Sequence, residues 1–365
     1  MVPRVEVSRC RRSLSGAVFV LLASCGTELG DAPTWSRELP GRIVAVADGA
    51  VPEAMLESLE RVAARLGVQR HDTAGGRSTW IAPSVEVGYA SLADSSAFRE
   101  AWQRRGATAT ASRGDGQTWL YIDLQILVDA LRAALQREAP RALGLIDALG
   151  LTNLRFAAGD VEARGGDTTI AIDVVSAAPD ARPAAFFALA DRRPSLLPTS
   201  AVDHRAAAEV RFEPAEAASA IGAFSAALQG DDPMGFLAMA SAPVIASVKR
   251  AIAASDGRVS LRFAADGATA IAIGARDPID LRDALSFVRR RPADEAGGAA
   301  ELPFQFAFLE RADHLLLWRG REPSGGDLAA LDAAAAVHVR SDGRELDLRI
   351  ERRPSAELRI RAVLR

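Results

Sequence analysis

Four histidines stand in this 365-residue chain, and three of them sit beside an aspartate: His71-Asp72, Asp203-His204 and Asp313-His314. An imidazole oriented by a carboxylate can work as a general base near neutral pH. Side chains of adjacent residues seldom face each other, however, so each pair reads better as part of a polar turn. His338 shares the face of Arg340, opposite Val337 and Val339, and is expected to be a solvated strand residue. Asp231-Asp232 could offer oxygen ligands to a cation, but Asp232 before Pro233 fits a helix cap. The ligand spacing of a calcium loop is absent. Asp123 and Glu213 occupy corresponding places in two similar segments. They read as acids at helix starts, where the dipole favours them, rather than as a catalytic pair. Arg113-Gly114-Asp115 falls in a turn-rich loop. No phosphate loop, dinucleotide glycine fingerprint, nucleophile elbow or paired-histidine zinc helix occurs. The expectation is therefore a protein that is not an enzyme, with no catalytic residues, no cofactor and no metal. The rival, a hydrolase working through carboxylates, needs two acids converging in a cleft with at least one raised pKa.

The residue with the clearest chemistry is Cys25. Arg4, Arg9, Arg11 and Arg12 form a basic head, Gly16 to Ala23 is a short apolar run, and Leu22-Ala23-Ser24-Cys25 closes it. The run is too short to span a bilayer, and its order is that of a secretory signal. The Leu-Ala-Ser-Cys ending resembles a bacterial lipoprotein signal. That resemblance implies cleavage between Ser24 and Cys25 and acylation of Cys25, with palmitate-like chains holding the protein on the membrane. The expected location is the bacterial cell envelope, lipid-anchored and facing the periplasm. Gly26 stands where an aspartate signals inner-membrane retention in some lipoproteins, which favours the outer membrane. Arg11-Arg12-Ser13-Leu14 also has some likeness to a twin-arginine export signal.

Composition limits the rest. The formal net charge is −3, and Lys249 is the only lysine among 44 basic residues, so no basic field for nucleic acid exists. Only two cysteines occur, Cys10 in the signal and Cys25, so the mature body has no thiol for a disulfide, zinc or nucleophilic catalysis. Its core must hold it together, and the 49% hydrophobic content, rich in alanine, is enough for one. Nothing after the signal is long and apolar enough to cross a membrane as a helix.

Periodicity supplies the elements. Residues 25–40 are polar and read as the lipidated cysteine and a flexible tether, with Trp35 packing on the body. A strand at Ile43–Val46 leads to a helix from Pro52 to Leu66 with the stripe Met55, Leu56, Leu59, Val62, Ala63 and Leu66, stopped by Gly67. Strands are expected at Thr79–Ile81 and Val85–Tyr89, and a helix over Ser95–Arg104. Then comes strand Trp119–Ile122, helix Leu124–Gln136 with the stripe Leu124, Leu127, Val128, Leu131 and Leu135, helix Arg141–Leu149, and strands Thr152–Ala157 and Thr168–Val175. A second series follows: strand Glu209–Phe212, a helix from Pro214 with Ile221, Phe224 and Leu228, a helical stretch bent at Pro243, and strands Val259–Ala264 and Ala268–Gly274. Leu154-Arg155-Phe156-Ala157-Ala158 echoes Leu261-Arg262-Phe263-Ala264-Ala265, and Ile170-Ala171-Ile172 echoes Ile271-Ala272-Ile273. Short helices at Ala185–Arg193 and Leu281–Arg291 complete the parallel, which predicts an internal duplication. Alternation makes Arg155 and Arg262 solvent-facing, the alternative being an inner arginine row that binds an anion. Paired strands at Phe304–Phe308 and Leu315–Trp318, a hairpin about Asp342-Gly343 and a strand at Ala356–Leu364 close the chain.

The predicted class is α+β: an extended antiparallel sheet with helices packed on one side. Residues 1–24 are the signal peptide, 25–40 the tether, 41–200 a lobe with the first copy, and 201–365 a lobe with the second copy and the C-terminal strands.

Ser91-Leu92-Ala93-Asp94-Ser95-Ser96-Ala97-Phe98, then Trp119-Leu120-Tyr121-Ile122-Asp123 and an amphipathic helix, resembles uncharacterised domain-of-unknown-function repeats of bacterial envelope proteins. The likeness extends over residues 80 to 290. It implies a non-enzymatic envelope role and brings no activity, cofactor or site residue with it. The function expected is binding or scaffolding, with an envelope protein or an apolar molecule as partner. In the apolar version the sheet curves around a pocket lidded by helices and lined by Phe212, Phe224, Phe236 and Phe263. A purely structural lipoprotein would instead have a filled core.

Overall fold

The computed structural model describes residues 32–365 except 74–75, 84, 109–116, 139, 141–142, 190–194, 198–203, 230–235, 265, 289–305, 321–332, 342–343 and 356. Among the described residues, fourteen strands form one antiparallel sheet. The strands are β1 (Ile43–Asp48), β2 (Gln69–Thr73), β3 (Arg77–Ile81), β4 (Gln117–Asp123), β5 (Leu154–Arg164), β6 (Asp167–Ser176) and β7 (His204–Arg211). They continue with β8 (Ser255–Ala264), β9 (Thr269–Ala275), β10 (Ala307–Glu310), β11 (His314–Arg319), β12 (Ala335–Ser341), β13 (Arg344–Arg352) and β14 (Glu357–Leu364). Their spatial order is β10-β11-β9-β8-β7-β12-β13-β14-β6-β5-β4-β1-β3-β2. The last three strands therefore join the halves. β12 pairs β7, and β14 lies along β6 from Glu357↔Val175 to Leu364↔Thr168.

Among the described residues seven α-helices accompany the sheet: α1 (Glu53–Leu66), α2 (Ser96–Thr108), α3 (Leu124–Glu138), α4 (Leu143–Ala148), α5 (Pro214–Gln229), α6 (Phe236–Ala254) and α7 (Pro278–Ala284). Gly67 ends α1 with φ +71, a left-handed conformation that suits glycine. None of the described helices is long and apolar enough to cross a membrane.

Strand alternation assigns the faces. In β4, Leu120 joins a core with Val44, Ala47, Val161, Ile126 of α3 and Leu56, Leu59 and Ala63 of α1. Its neighbours Trp119 and Tyr121 point the other way, into a core with Phe98 and Ala101 of α2. The expectation of helices on one side is thus corrected: α2 covers the face opposite α1 and α3. Tryptophan and tyrosine rings at alternate positions are too bulky to face water, and α2 buries them. Phe98 lies edge-on to Tyr121 at 5.2 Å and to Trp119 at 6.2 Å. Arg105 stacks between Trp102 (4.3 Å) and Trp119 (4.7 Å) and reaches Asp48 at 2.7 Å. In the other half, α6 and α7 pack on Ile271, Ile273, Leu315 and Leu317, while Leu196 and Leu197 cover the opposite face over Ala270, Ala272 and Leu316.

Several expectations change. The tether region is folded from Ala32 onward: Trp35 sits in a single 3-10 turn and packs on Phe98 and Trp102, both at 5.8 Å. Val85–Tyr89 is not a strand. Its alternation arises because Val85, Val87 and Tyr89 all pack on the helix-side core. β2 is polar throughout and gave no periodic signal. In α3 the buried positions are Ile126, Val128, Ala130 and Ala134, since small residues let the helix approach the sheet, whereas Leu124 and Leu131 lie outside that set. Val62 of α1 is exposed. A single turn, Ala184–Phe186, stands where the helix expected at Ala185–Arg193 would begin; residues 187–189 are not helical, and residues 190–193 lie outside the described residues. The first textual echo is out of step, since Leu154-Arg155-Phe156 opens β5 whereas Leu261-Arg262-Phe263 closes β8, while Ile170-Ala171-Ile172 and Ile271-Ala272-Ile273 both lie inside the strands that follow, β6 and β9.

Candidate ligand-binding cavity

Between α5, α6 and the sheet lies a cavity of about 450 Å³, within the roughly 300–1,000 Å³ range of small-molecule pockets. Its walls follow from helical spacing. Ala217, Ala220, Ile221 and Phe224 form one stripe of α5, and Val248, Ala251 and Ile252 form the facing stripe of α6. Val259 of β8 and Ile273 of β9 make the floor, and Leu285 completes the wall. The alanines leave volume that leucines would fill. At one end the rings of Phe186 and Phe212 stack 6.0 Å apart. Among the described residues of the wall Ser255 supplies the one polar side chain, and its hydroxyl donates to the carbonyl of Ile252 at 3.0 Å. Leu149 and Phe224 are 52% and 43% exposed, which marks the mouth. A wall of this kind attracts apolar molecules, each Å² of apolar surface removed from water contributing about 25 cal/mol.

Phe212 and Phe224 therefore line one cavity. Phe263, expected with them, is 42% exposed on β8 and is not part of the wall. Phe236 opens α6, and its side chain lies outside the described residues. Sequence reasoning missed Phe186, Ile273 and Leu149, which reach the cavity from separate segments. The facing stripe of α6 was readable as the spacing of Val248, Ala251 and Ile252.

The titratable residues are placed elsewhere. Asp123 is buried at the start of α3, and its Oδ1 accepts from the backbone N–H of Gln125 (3.1 Å) and Ile126 (3.0 Å). Its Oδ2 accepts from the hydroxyls of Tyr89 (2.9 Å) and Tyr121 (3.2 Å). Burial raises its pKa despite those four donors. It is a helix cap, as the dipole argument expects. Glu213 lies on the rim of a polar hollow near the start of α5. Asp231, Asp232, Asp203 and the tripeptide Arg113-Gly114-Asp115 lie outside the described residues.

Two histidine expectations are corrected. His314 Nδ1 does meet its neighbour Asp313 at 2.8 Å, because the turn entering β11 folds the carboxylate back. That contact holds the Asp313 pKa below its ordinary value. His338 is half-buried rather than solvated: it stands opposite Asp347 in β13, with Nδ1 2.5 Å from Oδ1, and Nε2 is 3.3 Å from Glu345. His338, Glu345 and Asp347 could together ligate a metal ion. Both carboxylates already face guanidiniums, Arg365 at 2.7 Å from Asp347 and Arg340 at 3.4 Å from Glu345. Asp72 pairs with Arg70 and Ser78 rather than with His71. Arg155 and Arg262 are also drawn inward: Arg155 reaches Glu100 at 2.9 Å over the ring of Phe156, and Arg262 donates to the Leu197 carbonyl at 3.0 Å.

No family model, curated protein or solved structure matches this chain.

Proposed function

We propose that this protein is a lipid-anchored component of the bacterial cell envelope that binds an apolar ligand in the cavity between α5 and α6 and performs no reaction on it. The apolar cavity with its open, hydrophobic mouth carries the reading. Among the described residues that line it there is no carboxylate, which supports binding over acid-assisted hydrolysis. The signal ending in Ser24-Cys25 supports the anchor, facing the periplasm and favouring the outer membrane. A net charge of −3 and the absence of a basic stripe argue against nucleic acid.

The body is read as a duplication. β4, α3, α4, β5 and β6 follow the same order as β7, α5, α6, β8 and β9, and both triplets of strands run in the same direction along the sheet. The second copy then keeps an open cavity where Leu120, Val161, Ile126 and Ala130 fill the first.

The test is to purify the full chain from a bacterial host and compare its native and denatured masses, with solvent extraction of whatever is released. A lipid or other apolar molecule freed on denaturation is expected. A mass match in both states, repeated after incubation with envelope lipids, would leave only scaffolding of a protein partner.

A further inference from the structure

A second hollow, of about 260 Å³, shares Phe212 with the apolar cavity but is polar. Arg211 ends β7, and Arg258 stands directly opposite it in β8. They are 2% and 9% exposed. Like charges opposite each other on neighbouring strands repel, and buried guanidiniums are costly unless they are answered. Asp256 answers Arg258, its Oδ2 accepting from Nε and Nη2 at 2.7 Å each. Glu209 lies 3.6 Å from Arg211. A third arginine, Arg276, follows β9 and lines the same hollow from an exposed position. Among the described residues it forms no ion pair. Asp313 Oδ2 also lies 3.6 Å from Arg258, so both buried guanidiniums face carboxylates, while the lining of the hollow itself holds Arg211, Arg258 and Arg276 with Asp256 and Glu213.

Backbone geometry holds the arginines together. Gly257 has φ +90, and a Cβ there would lie 2.1 Å from the carbonyl oxygen of Phe212. Glycine lets β8 press against the exit of β7, which sets Arg258 beside Arg211. The 16-residue helix α5 begins at Pro214 on the rim and turns the positive end of its dipole toward the hollow.

We propose that this hollow binds one anionic, oxygen-rich group, a phosphate or carboxylate, between Arg211, Arg258 and Arg276. Arg276 closes on the anion from the rim, while the buried pair forms the fixed floor. Guanidinium forks suit such oxygens because they donate in pairs. Two sources present the same chemistry: a free phosphate, or the headgroup of an acidic lipid whose chains enter the cavity beyond Phe212. The lipid source rests on the apolar-ligand reading above, whereas the anion site does not.

The experiment titrates the full chain with three probes: inorganic phosphate, dihexanoyl phosphatidate and uncharged dihexanoylglycerol. It compares wild type with Arg276→Gln, a rim substitution that spares the buried pair, and with Ala220→Trp, which fills the cavity. Saturable phosphate binding, weakened about tenfold or more by Arg276→Gln and unchanged by Ala220→Trp, is expected. Phosphatidate binding tighter than phosphate, with the gain lost in Ala220→Trp, assigns the anion to a lipid headgroup. Equal affinities assign it to a free anion. Absence of saturable binding by either anionic probe, or binding that Arg276→Gln leaves unchanged, overturns the proposal. Failure of dihexanoylglycerol alone counts against the apolar cavity and leaves the anion site standing.

Discussion

The rings of Phe186 and Phe212 stack 6.0 Å apart at 25°, and this pair forms one end wall of the cavity. The contact is anchored by backbone, since Phe187 bridges to Phe212 and the Glu213 N–H donates to the Phe186 carbonyl at 2.9 Å. Aromatic pairs of this geometry are worth about 0.5–1.5 kcal/mol beyond their buried area. A double-mutant cycle of Phe186→Ala and Phe212→Ala, read by urea unfolding, should return a coupling in that range. Strict additivity would show that the wall is two independent side chains.

Asp123 accepts four hydrogen bonds at the start of α3. Losing a cap alone costs about 0.5–2 kcal/mol, and the hydroxyls of buried Tyr121 and half-buried Tyr89 would lose an acceptor as well. Asp123→Ala should therefore destabilise by about 2 kcal/mol or more in chemical denaturation. A change under about 0.5 kcal/mol would contradict the cap, because that is the lower end of cap losses.

Acid should weaken the protein partly through Asp347. Burial pushes its pKa up, but its bonds to His338 and Arg365 outweigh that and hold it below the ordinary 3.8. A carboxylate depressed in the folded state contributes stability above its unfolded pKa and loses it as pH falls through the folded value. Wild type should exceed Asp347→Asn in Tm at pH 7, and the gap should close toward pH 3. Asp123, whose pKa burial raises, works in the opposite sense: its contribution is greatest below the unfolded value and declines as pH rises through the folded one. A gap that persists unchanged at pH 3 would rule out the Asp347 contribution.

Trp35 docks on Phe98 and Trp102, so the folded body begins close to the proposed anchor. A chain from Cys25 to Ala32 spans at most about 25 Å at roughly 3.5 Å per residue, which would keep the body near the bilayer. Trp35→Ala should cost about 3 kcal/mol, the lower end for truncating a packed aromatic, and expose residues 32–40 to limited proteolysis. Cleavage there that is equally fast in wild type would refute the docking. Cys25→Ser should abolish labelling by a radioactive fatty acid, and retained label would place the acyl chain elsewhere.

Much of the fold was legible because its strands alternate. Leu358, Ile360 and Ala362 against Arg359 and Arg361 make β14 plain, and Ser341↔Arg344 confirms the hairpin register. The sheet order was not legible: nothing local in β14 says that it lies along β6, a pairing that joins residues more than 180 positions apart. The polar hollow was hidden by one boundary. Reading the strand from Val259 left Arg258 in a loop, whereas β8 starts at Ser255 and sets Arg258 opposite Arg211. Alternation also failed for Arg262, whose position between Leu261 and Phe263 implies water but which the Leu197 segment covers. Of the aromatic cavity residues, Phe224 stood out on a helical stripe, while Phe186 needed the tertiary fold to bring it to Phe212.

Uptake of the apolar dye 1-N-phenylnaphthylamine by wild type and Ala220→Trp tests the central claim most directly. Ala220 faces the cavity from α5, and an indole there occupies the ligand's space. Saturable fluorescence enhancement in wild type at about one dye per chain is predicted, with loss in Ala220→Trp at an unchanged Tm. No uptake by wild type, or equal uptake by both proteins, would contradict an apolar ligand between α5 and α6.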